Sequence, residues 1–418
     1  MDRGALGAVV EKAQAQRFDN LKATILCVED TLEALGDLAH WWRMKHPVLV
    51  GAITGSVGKT TTKEMAAHIL SLRHETLKTE GNLNNLIGLP LTLLGLEERH
   101  GRAVVELGMN RPGEIARLTR IANPDVGVIT EVGEAHLQGL GNLLGVARAK
   151  LEMAQEMGNE ALLVINGDNA MLRDMAGQYG RKVLFFGFDA HNEIRALGVK
   201  RAEGRSTEFM LAYGDQQVGV RLKVPGRHNV MNALAAAGLC IGMGEELGVI
   251  AQGLSHFTGM EGRFQIINLP SGITLVDDTY NANPVSLKAA LEAVRELTTQ
   301  GRDLVIGLGD MLELGGEAER AHVEAGKWVA ELSPRLFVCL GQYADQMVRG
   351  AVDAGLSRQN IVVVRNTDEM AHALESGIDD GCTILLKGSR MMRLDKVKEM
   401  ICLKLEEQDK EGAARGSR

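Results

Sequence analysis

The stretch Gly51-Ala-Ile-Thr-Gly-Ser-Val-Gly-Lys-Thr-Thr-Thr-Lys63 limits what this chain can fold into more than any other. Val48 to Ile53 before it is a short apolar, β-branched run, and Lys63 to Leu72 after it places apolar residues at helical spacing. The order is therefore buried strand, glycine-rich loop, helix. In that setting the loop predicts a phosphate cradle. Gly55 and Gly58 can adopt backbone angles that turn NH groups inward, and the helix N-terminus adds partial positive charge. Lys59 can reach the outer phosphates, and Thr60 can offer its hydroxyl to magnesium. The fit to G-x-x-x-x-G-K-[ST] is incomplete, because Ile53 stands where the first glycine belongs. A surface turn that happens to contain Gly-Lys-Thr is the competing reading, and the flanking strand and helix weigh against it.

With 418 residues and 45% hydrophobic content, the chain can bury large cores in two or three domains. Its 49 glycines and few aromatics suit an α/β protein with aliphatic cores and many tight strand-to-helix turns. A formal charge of -8 argues against a nucleic-acid partner. Cys27, Cys240, Cys339, Cys382 and Cys402 are odd in number and lack metal-type spacing, so they read as reduced thiols of a cytoplasmic protein. No apolar run approaches the roughly 18 to 20 residues of a membrane span, and Asp2, Arg3 and Glu11 do not suit a signal peptide.

Residues 1–46 show a helical apolar pattern from Ala5 to Ala13, a strand at Ala23 to Val28 and an amphipathic helix. Asp30 and Glu33 form a capping box for that helix, and Leu32, Leu35, Leu38 and Ala39 form its apolar face. This is too little for an independent domain and reads as the remnant of a larger N-terminal α/β domain. Residues 47–258 alternate strand and helix regularly, which predicts a doubly wound sheet domain. Between about Glu193 and Val224 the period changes to two, split by Gly214-Asp215, and predicts an antiparallel β flank. Residues 259–418 form a second, Rossmann-like α/β domain with strands at Ile273–Asp277, Leu304–Leu308, Leu336–Leu340, Ile361–Val364 and Thr383–Leu386. Each ends in a polar or glycine-rich loop, where ligands of such sheets sit.

Several strand ends carry candidate chemistry. Glu106 ends the strand after the cradle, where a magnesium-binding carboxylate is needed. Thr79-Glu-Gly-Asn-Leu-Asn-Asn85 concentrates Asn82, Asn84 and Asn85 between glycines, equally suited to reading polar ligand groups or to forming a turn. Asn229 and Asn232 at the start of a helix can be simple caps. Polar runs at Val276-Asp-Asp-Thr-Tyr-Asn-Ala-Asn-Pro284 and Leu386-Lys-Gly-Ser-Arg390 favour a ligand site over plain loops. On spacing alone, His136 is a hydrogen-bonded loop histidine and Lys150 a helix-surface lysine.

Taken together, Thr54-Gly-Ser-Val-Gly-Lys-Thr60, Gly81-Asn-Leu-Asn-Asn85, Glu106-Leu-Gly-Met109, Glu134-Ala-His136, Gly226-Arg-His-Asn229, Asp277-Asp-Thr-Tyr-Asn-Ala-Asn-Pro284, Gly309-Asp-Met-Leu-Glu-Leu-Gly315 and Lys387-Gly-Ser-Arg390 resemble the Mur ligase family in kind and order. The Tyr-Asn-Ala-Asn-Pro element is most similar to the branch that joins D-alanyl-D-alanine to a UDP-N-acetylmuramoyl tripeptide. The resemblance implies an ATP- and magnesium-dependent amide ligase of peptidoglycan precursor synthesis that works through an acyl phosphate. It implies that Thr54, Gly55, Ser56, Val57, Gly58, Lys59, Thr60 and Thr61 hold ATP phosphates, with Asn232, Arg263 and Asp277 also contacting the nucleotide. Magnesium would be held by Thr60, Glu106, His136 and a carbamylated Lys150, with Lys59, His136 and Lys150 the catalytic set. Asn82, Asn84, Asn85, Asn281, Asn283, Lys387 and Arg390 would meet the two substrates. Family members carry a complete uridine-binding domain at the N-terminus, of which residues 1–46 match the last part. Two expectations follow: a monomeric ligase slowed by a truncated substrate domain, or a non-catalytic nucleotide-binding or partner protein of the same fold.

Overall fold

The computed structural model describes residues 4–20, 23–133, 137–202, 206–298 and 304–416. Among these the strands form three sheets. The first contains only β1 (Gly7–Glu11) and β2 (Thr24–Val28), paired in parallel, and is followed by α1 (Thr31–Met44). The expected helix at residues 5–13 is therefore wrong. Val9 and Val10 pair with Leu26 and Cys27, and long-range pairing overrides a short helical pattern. Asp30 does cap α1, accepting from the amides of Leu32 and Glu33. The buried face of α1 is not the leucine stripe: Gly36, Ala39 and Arg43 face inward, while Leu32 and Leu38 stay exposed. Gly36 permits this, since a Cβ there would lie 2.7 Å from the Ile121 side chain.

The central unit runs β3 (Leu49–Thr54), α2 (Lys59–Leu70), β4 (Thr76–Lys78), α3 (Gly88–Leu93), β5 (Arg102–Glu106), α4 (Glu114–Ala122), β6 (Val126–Ile129), α5 (Leu137–Leu140), α6 (Leu143–Glu156), β7 (Leu162–Asn166), α7 (Ala170–Ala176), β8 (Val183–Gly187), β9 (Ile194–Arg201), β10 (Thr207–Tyr213), β11 (Gln216–Leu222), α8 (Arg227–Gly242) and α9 (Leu247–His256). Its sheet has the order β11-β10-β9-β8-β7-β6-β3-β5-β4. The strands from β4 through β9 pair in parallel; β10 and β11 are antiparallel, with the hairpin at Gly214–Asp215 as the period change predicts. Helices cover both faces. Val104 packs with residues of α2, α8 and α9, while its neighbours Ala103 and Val105 pack with α3, α4 and α6. Strands buried on both faces are why these runs are continuously apolar.

The C-terminal unit runs β12 (Gln265–Asn268), β13 (Thr274–Asp278), α10 (Pro284–Leu297), β14 (Leu304–Gly309), α11 (Ala318–Ala330), β15 (Leu336–Leu340), α12 (Ala344–Asp353), β16 (Ile361–Val364), α13 (Thr367–Glu375), β17 (Thr383–Lys387) and α14 (Leu394–Gly416). The sheet order is β12-β13-β17-β14-β15-β16, parallel apart from the antiparallel edge β12, which the sequence pattern did not announce. The carboxyl ends of β3 and β5 in one sheet and of β13, β14 and β17 in the other send their loops into one cleft of about 530 Å³.

Candidate active site

The cradle is built from backbone that only glycine allows. Gly58 opens α2 at φ +84, and a Cβ on it would lie 2.2 Å from the Asn232 side-chain oxygen. A Cβ on Gly55 would meet Thr130 Oγ1 at 1.9 Å. The loop is tied to the end of β6: Ser56 N donates to Glu131 O at 2.7 Å, and Thr130 Oγ1 donates to Val57 O at 2.6 Å. Ser56 Oγ donates to Gly133 O and accepts from Gly133 N, each at 3.0 Å. Thr54 is turned into the sheet, its hydroxyl donating to Leu107 O, so of the eight predicted cradle residues Thr54 and Gly55 shape the loop while Ser56 to Thr61 line the cleft. Half-buried Lys59 folds back onto Gly55 O at 2.8 Å. Burial lowers its proton affinity, Glu106 opposes that shift, Arg263 adds to it, and Glu313 opposes it.

Glu106 ends β5 almost fully buried. Its amide donates to Thr79 Oγ1 at 3.0 Å, and Asn84 Nδ2 donates to Oε1 at 2.8 Å. Its other oxygen, Oε2, is buried and has no hydrogen-bond partner among the described residues. An unsatisfied buried carboxylate oxygen is costly unless something binds it, and a hard divalent cation takes such oxygens. Thr60 Oγ1 lies on the same cleft wall and accepts from Arg263 at 3.1 Å. The donor set therefore fits magnesium. Lys150 on α6 is buried and does not line the cleft. Burial, reinforced by the Lys59 charge, pushes its ammonium well below the usual lysine range. His136 lies outside the described residues.

On the opposite wall, Arg263 lies over the Tyr280 ring at 3.9 Å and Arg390 approaches the same ring at 5.3 Å. Arg263 thus joins the C-terminal unit to the cradle through Thr60. Lys387 is buried, with Nζ donating to Asp278 Oδ2 at 2.6 Å and to Asn281 O at 2.9 Å. Desolvation lowers its proton affinity and Asp278 partly restores it. The structure puts Asp277 beneath the cleft rather than in it. Asp277 Oδ1 accepts from Thr279 N and Oγ1, and Oδ2 accepts from Gly262 N. Neighbouring strand residues point to opposite faces, and it is Asp278 that lines the cleft.

The asparagines divide in the same way. Asn85 Oδ1 accepts from Gly88 N at 2.8 Å at the start of α3, and Asn283 Oδ1 accepts from Ser286 N at 2.8 Å in a capping box opening α10. Both line the cleft with those oxygens already used. Asn82, Asn84, Asn232 and Asn281 line it too. Asp278, Tyr280, His228 and Glu313 also line the cleft but were not singled out from the sequence, although each lies inside a stretch that carries the family resemblance. His228 stands with its ring edge-on to Phe264 at 5.3 Å; desolvation lowers its pKa to about 4, with Asp278 opposing and Lys387 reinforcing the shift.

Two family models match this chain in order: the Mur ligase middle domain at residues 53–240 and the Mur ligase, glutamate ligase domain at residues 262–390. It is 37% identical over 386 residues to the UDP-N-acetylmuramoyl-tripeptide--D-alanyl-D-alanine ligase of Bacillus subtilis, covering 90% of this chain and 81% of that one. The Escherichia coli ligase of the same name is 37% identical over 374 residues, covering 89% and 81%. Among solved structures, MurF from Acinetobacter baumannii superposes with a TM-score of 0.83 at 32% identity, covering 92% of this chain and 83% of that one. MurF from Thermotoga maritima in complex with ADP gives 0.86 at 28% identity, covering 97% and 90%.

Proposed function

This chain belongs to the Mur ligase family, and from that premise we propose that it joins D-alanyl-D-alanine to UDP-N-acetylmuramoyl tripeptide at the expense of ATP. The observation that carries this reading is the shared cleft. A phosphate cradle with Lys59 and an open Glu106 oxygen forms one wall, and Arg263, Tyr280 and Arg390 form the other.

In the first half-reaction the terminal carboxylate of the tripeptide attacks the γ-phosphorus of ATP, forming an acyl phosphate and ADP. The amides of Val57 to Thr60 and the Lys59 ammonium balance charge on the transferring group. Arg263, already on Thr60, adds a second fixed cation at the same end. Glu106 and Thr60, with His136 and Lys150, would hold magnesium, whose charge would offset that of the phosphates. Burial disfavours the Lys150 ammonium, the free amine is nucleophilic toward carbon dioxide, and the carbamate so formed, with one proton released to solvent, is an anion suited to a cation site. In the second half-reaction the amine of D-alanyl-D-alanine attacks the acyl carbon and phosphate leaves. Asn281 and Arg390 reach the cleft from the C-terminal unit to receive that substrate. Closing the two walls together would exclude water from the acyl phosphate.

Both walls come from one chain, so the reading is of a monomer, which sedimentation analysis checks. Its five cysteines are unpaired, in keeping with a cytoplasmic site of action. The direct test incubates the protein with ATP, magnesium, the UDP-linked tripeptide and D-alanyl-D-alanine and looks by mass spectrometry for the pentapeptide product and equimolar ADP. ADP release that does not depend on the tripeptide, or no product with the dipeptide, overturns the reading. For Lys150, the Lys150→Ala protein should be inactive and partly recover with added short-chain carboxylates; full activity without them removes the carbamate.

A further inference from the structure

We propose that Lys63 is a positioning residue: with Thr79 it sets where Glu106 holds its open carboxylate oxygen, and so how well the cleft takes a divalent cation. The role rests on the ligase reading above. Lys63 follows Lys59 by one turn of α2, yet it is buried and does not line the cleft. Its Nζ donates to Thr79 O at 2.5 Å and lies 2.9 Å from Glu64 Oε1, while Lys78 Nζ donates to the other Glu64 oxygen at 2.6 Å. A buried cation is costly even when paired, and an apolar side chain of similar length would fill the same space without partners. Packing alone therefore does not call for a charge here. What the charge holds is the Thr79 carbonyl.

Thr79 is where the edge strand β4 leaves the sheet. Lys78 pairs with Val104, so a continued parallel ladder would run from Thr79 N to Val104 O and from Glu106 N to Thr79 O. The first bond is present at 3.1 Å. In place of the second, Glu106 N donates to Thr79 Oγ1 at 3.0 Å, and the carbonyl goes to Lys63. Thr79 is fully buried, so these groups have no water to turn to. Turned off the ladder, the chain runs on to Asn85 and touches β5 again through Asn84. Gly108 N donates to Asn84 O at 2.8 Å, and Asn84 Nδ2 donates to Glu106 Oε1 at 2.8 Å. Glu106 is thus fixed at its amide by Thr79 and at one carboxylate oxygen by Asn84, both on the segment that Lys63 anchors. Oε2 is the atom left over, buried and without a partner among the described residues.

The position of that oxygen decides what it can do. A small hard cation needs its oxygens close to ideal positions, and the groups behind the ligands set those positions. Without the Lys63 charge, Thr79 O has no partner at a site closed to water, and it competes with the Thr79 hydroxyl for the Glu106 amide. The segment that carries Asn84 then shifts. Glu106 keeps its charge but loses its orientation.

The test measures ADP binding by titration calorimetry in EDTA and at a series of magnesium concentrations, each protein being held at a temperature where it is folded. Wild type is compared with Lys63→Met, Thr79→Val, Thr79→Ser and the double variant Lys63→Met/Thr79→Val. The magnesium concentration that gives half the gain in ADP affinity should rise by about tenfold or more in Lys63→Met and in Thr79→Val. ADP affinity in EDTA should not change. Thr79→Ser keeps the hydroxyl and should match wild type. The double variant should be no worse than the weaker single variant, because both substitutions break one connection. A lysine that only supports the fold would lower the melting temperature and leave the magnesium requirement where it was. An unchanged requirement in Lys63→Met or Thr79→Val, or losses that add in the double variant, overturns the role of Lys63. Should Lys63→Met fail to fold, Thr79→Val against Thr79→Ser gives the same decision. A wild-type protein whose ADP binding ignores magnesium overturns the cation site itself, and the ligase reading with it.

Discussion

The carboxyl ends of the two sheets face each other across one cleft, yet they leave their polar groups in opposite states. On the central side, a glycine cradle presents amides, and among the described residues Glu106 keeps one oxygen without a partner and Lys59 donates only to its own loop's carbonyl. On the C-terminal side the groups satisfy one another: Lys387 with Asp278 and Asn281, Asp310 with the amides of Gln342 and Tyr343, Ser389 with Leu312, His322 with Met311. The first wall is charged and unfinished, as a site for phosphate and a cation must be before its ligands arrive. The second is a self-consistent scaffold that presents a few side chains. Substitutions on the two walls should therefore fail differently: the central wall in chemistry, the C-terminal wall in stability.

The largest effect should come from Lys59→Ala. Removing the cation at the outer phosphates should cut ATP turnover by about a thousandfold or more, with a melting temperature unchanged in calorimetry. Near-normal turnover would dismantle the cradle assignment. Glu106→Gln keeps the acceptor for Asn84 but removes the anionic character of the buried oxygen, so activity should fall by about a hundredfold or more. Stability should hold or rise, because an unpaired buried oxygen is replaced by a neutral amide. A marked loss of stability would show that Glu106 is structural and erase the contrast.

Lys387→Met tests the other wall. It leaves the Asp278 carboxylate without its cation at a buried site, which should cost about 3 kcal/mol in urea unfolding. Activity should fall less than for Lys59→Ala under conditions where the variant is folded. A stable but inactive variant would instead make Lys387 a substrate contact. The smallest effect concerns the seam between the walls, where His228 faces Asp278 and Lys387. Its folded pKa, about 4, lies below the ordinary histidine value, so the unfolded chain binds more protons in between. Its contribution is fully present above about pH 6.5 and is lost as the pH falls toward about 4. His228→Phe should flatten this limb of a stability profile; an unchanged acid limb would exclude the histidine as its source.

What the sequence determined by itself was local. The strand, cradle and helix from Leu49 to Leu70, the alternation on both sides of them and the hairpin at Gly214–Asp215 all follow from periodicities and glycine positions spanning a few residues. Tertiary structure decided the questions whose answers lie far along the chain. Val9 and Val10 are in a strand because β2 pairs with them, and α1 turns its Gly36 face inward because Ile121 leaves no room there for a larger side chain. Asp278 rather than Asp277 meets the cleft because the register of β13 against β17 sets the face, bringing up Lys387 from 109 residues away. The open oxygen of Glu106 and the used oxygens of Asn85 and Asn283 were equally hidden, because a polar residue's type gives its hydrogen-bonding capacity, while only the packed neighbours determine how much of it is already spent.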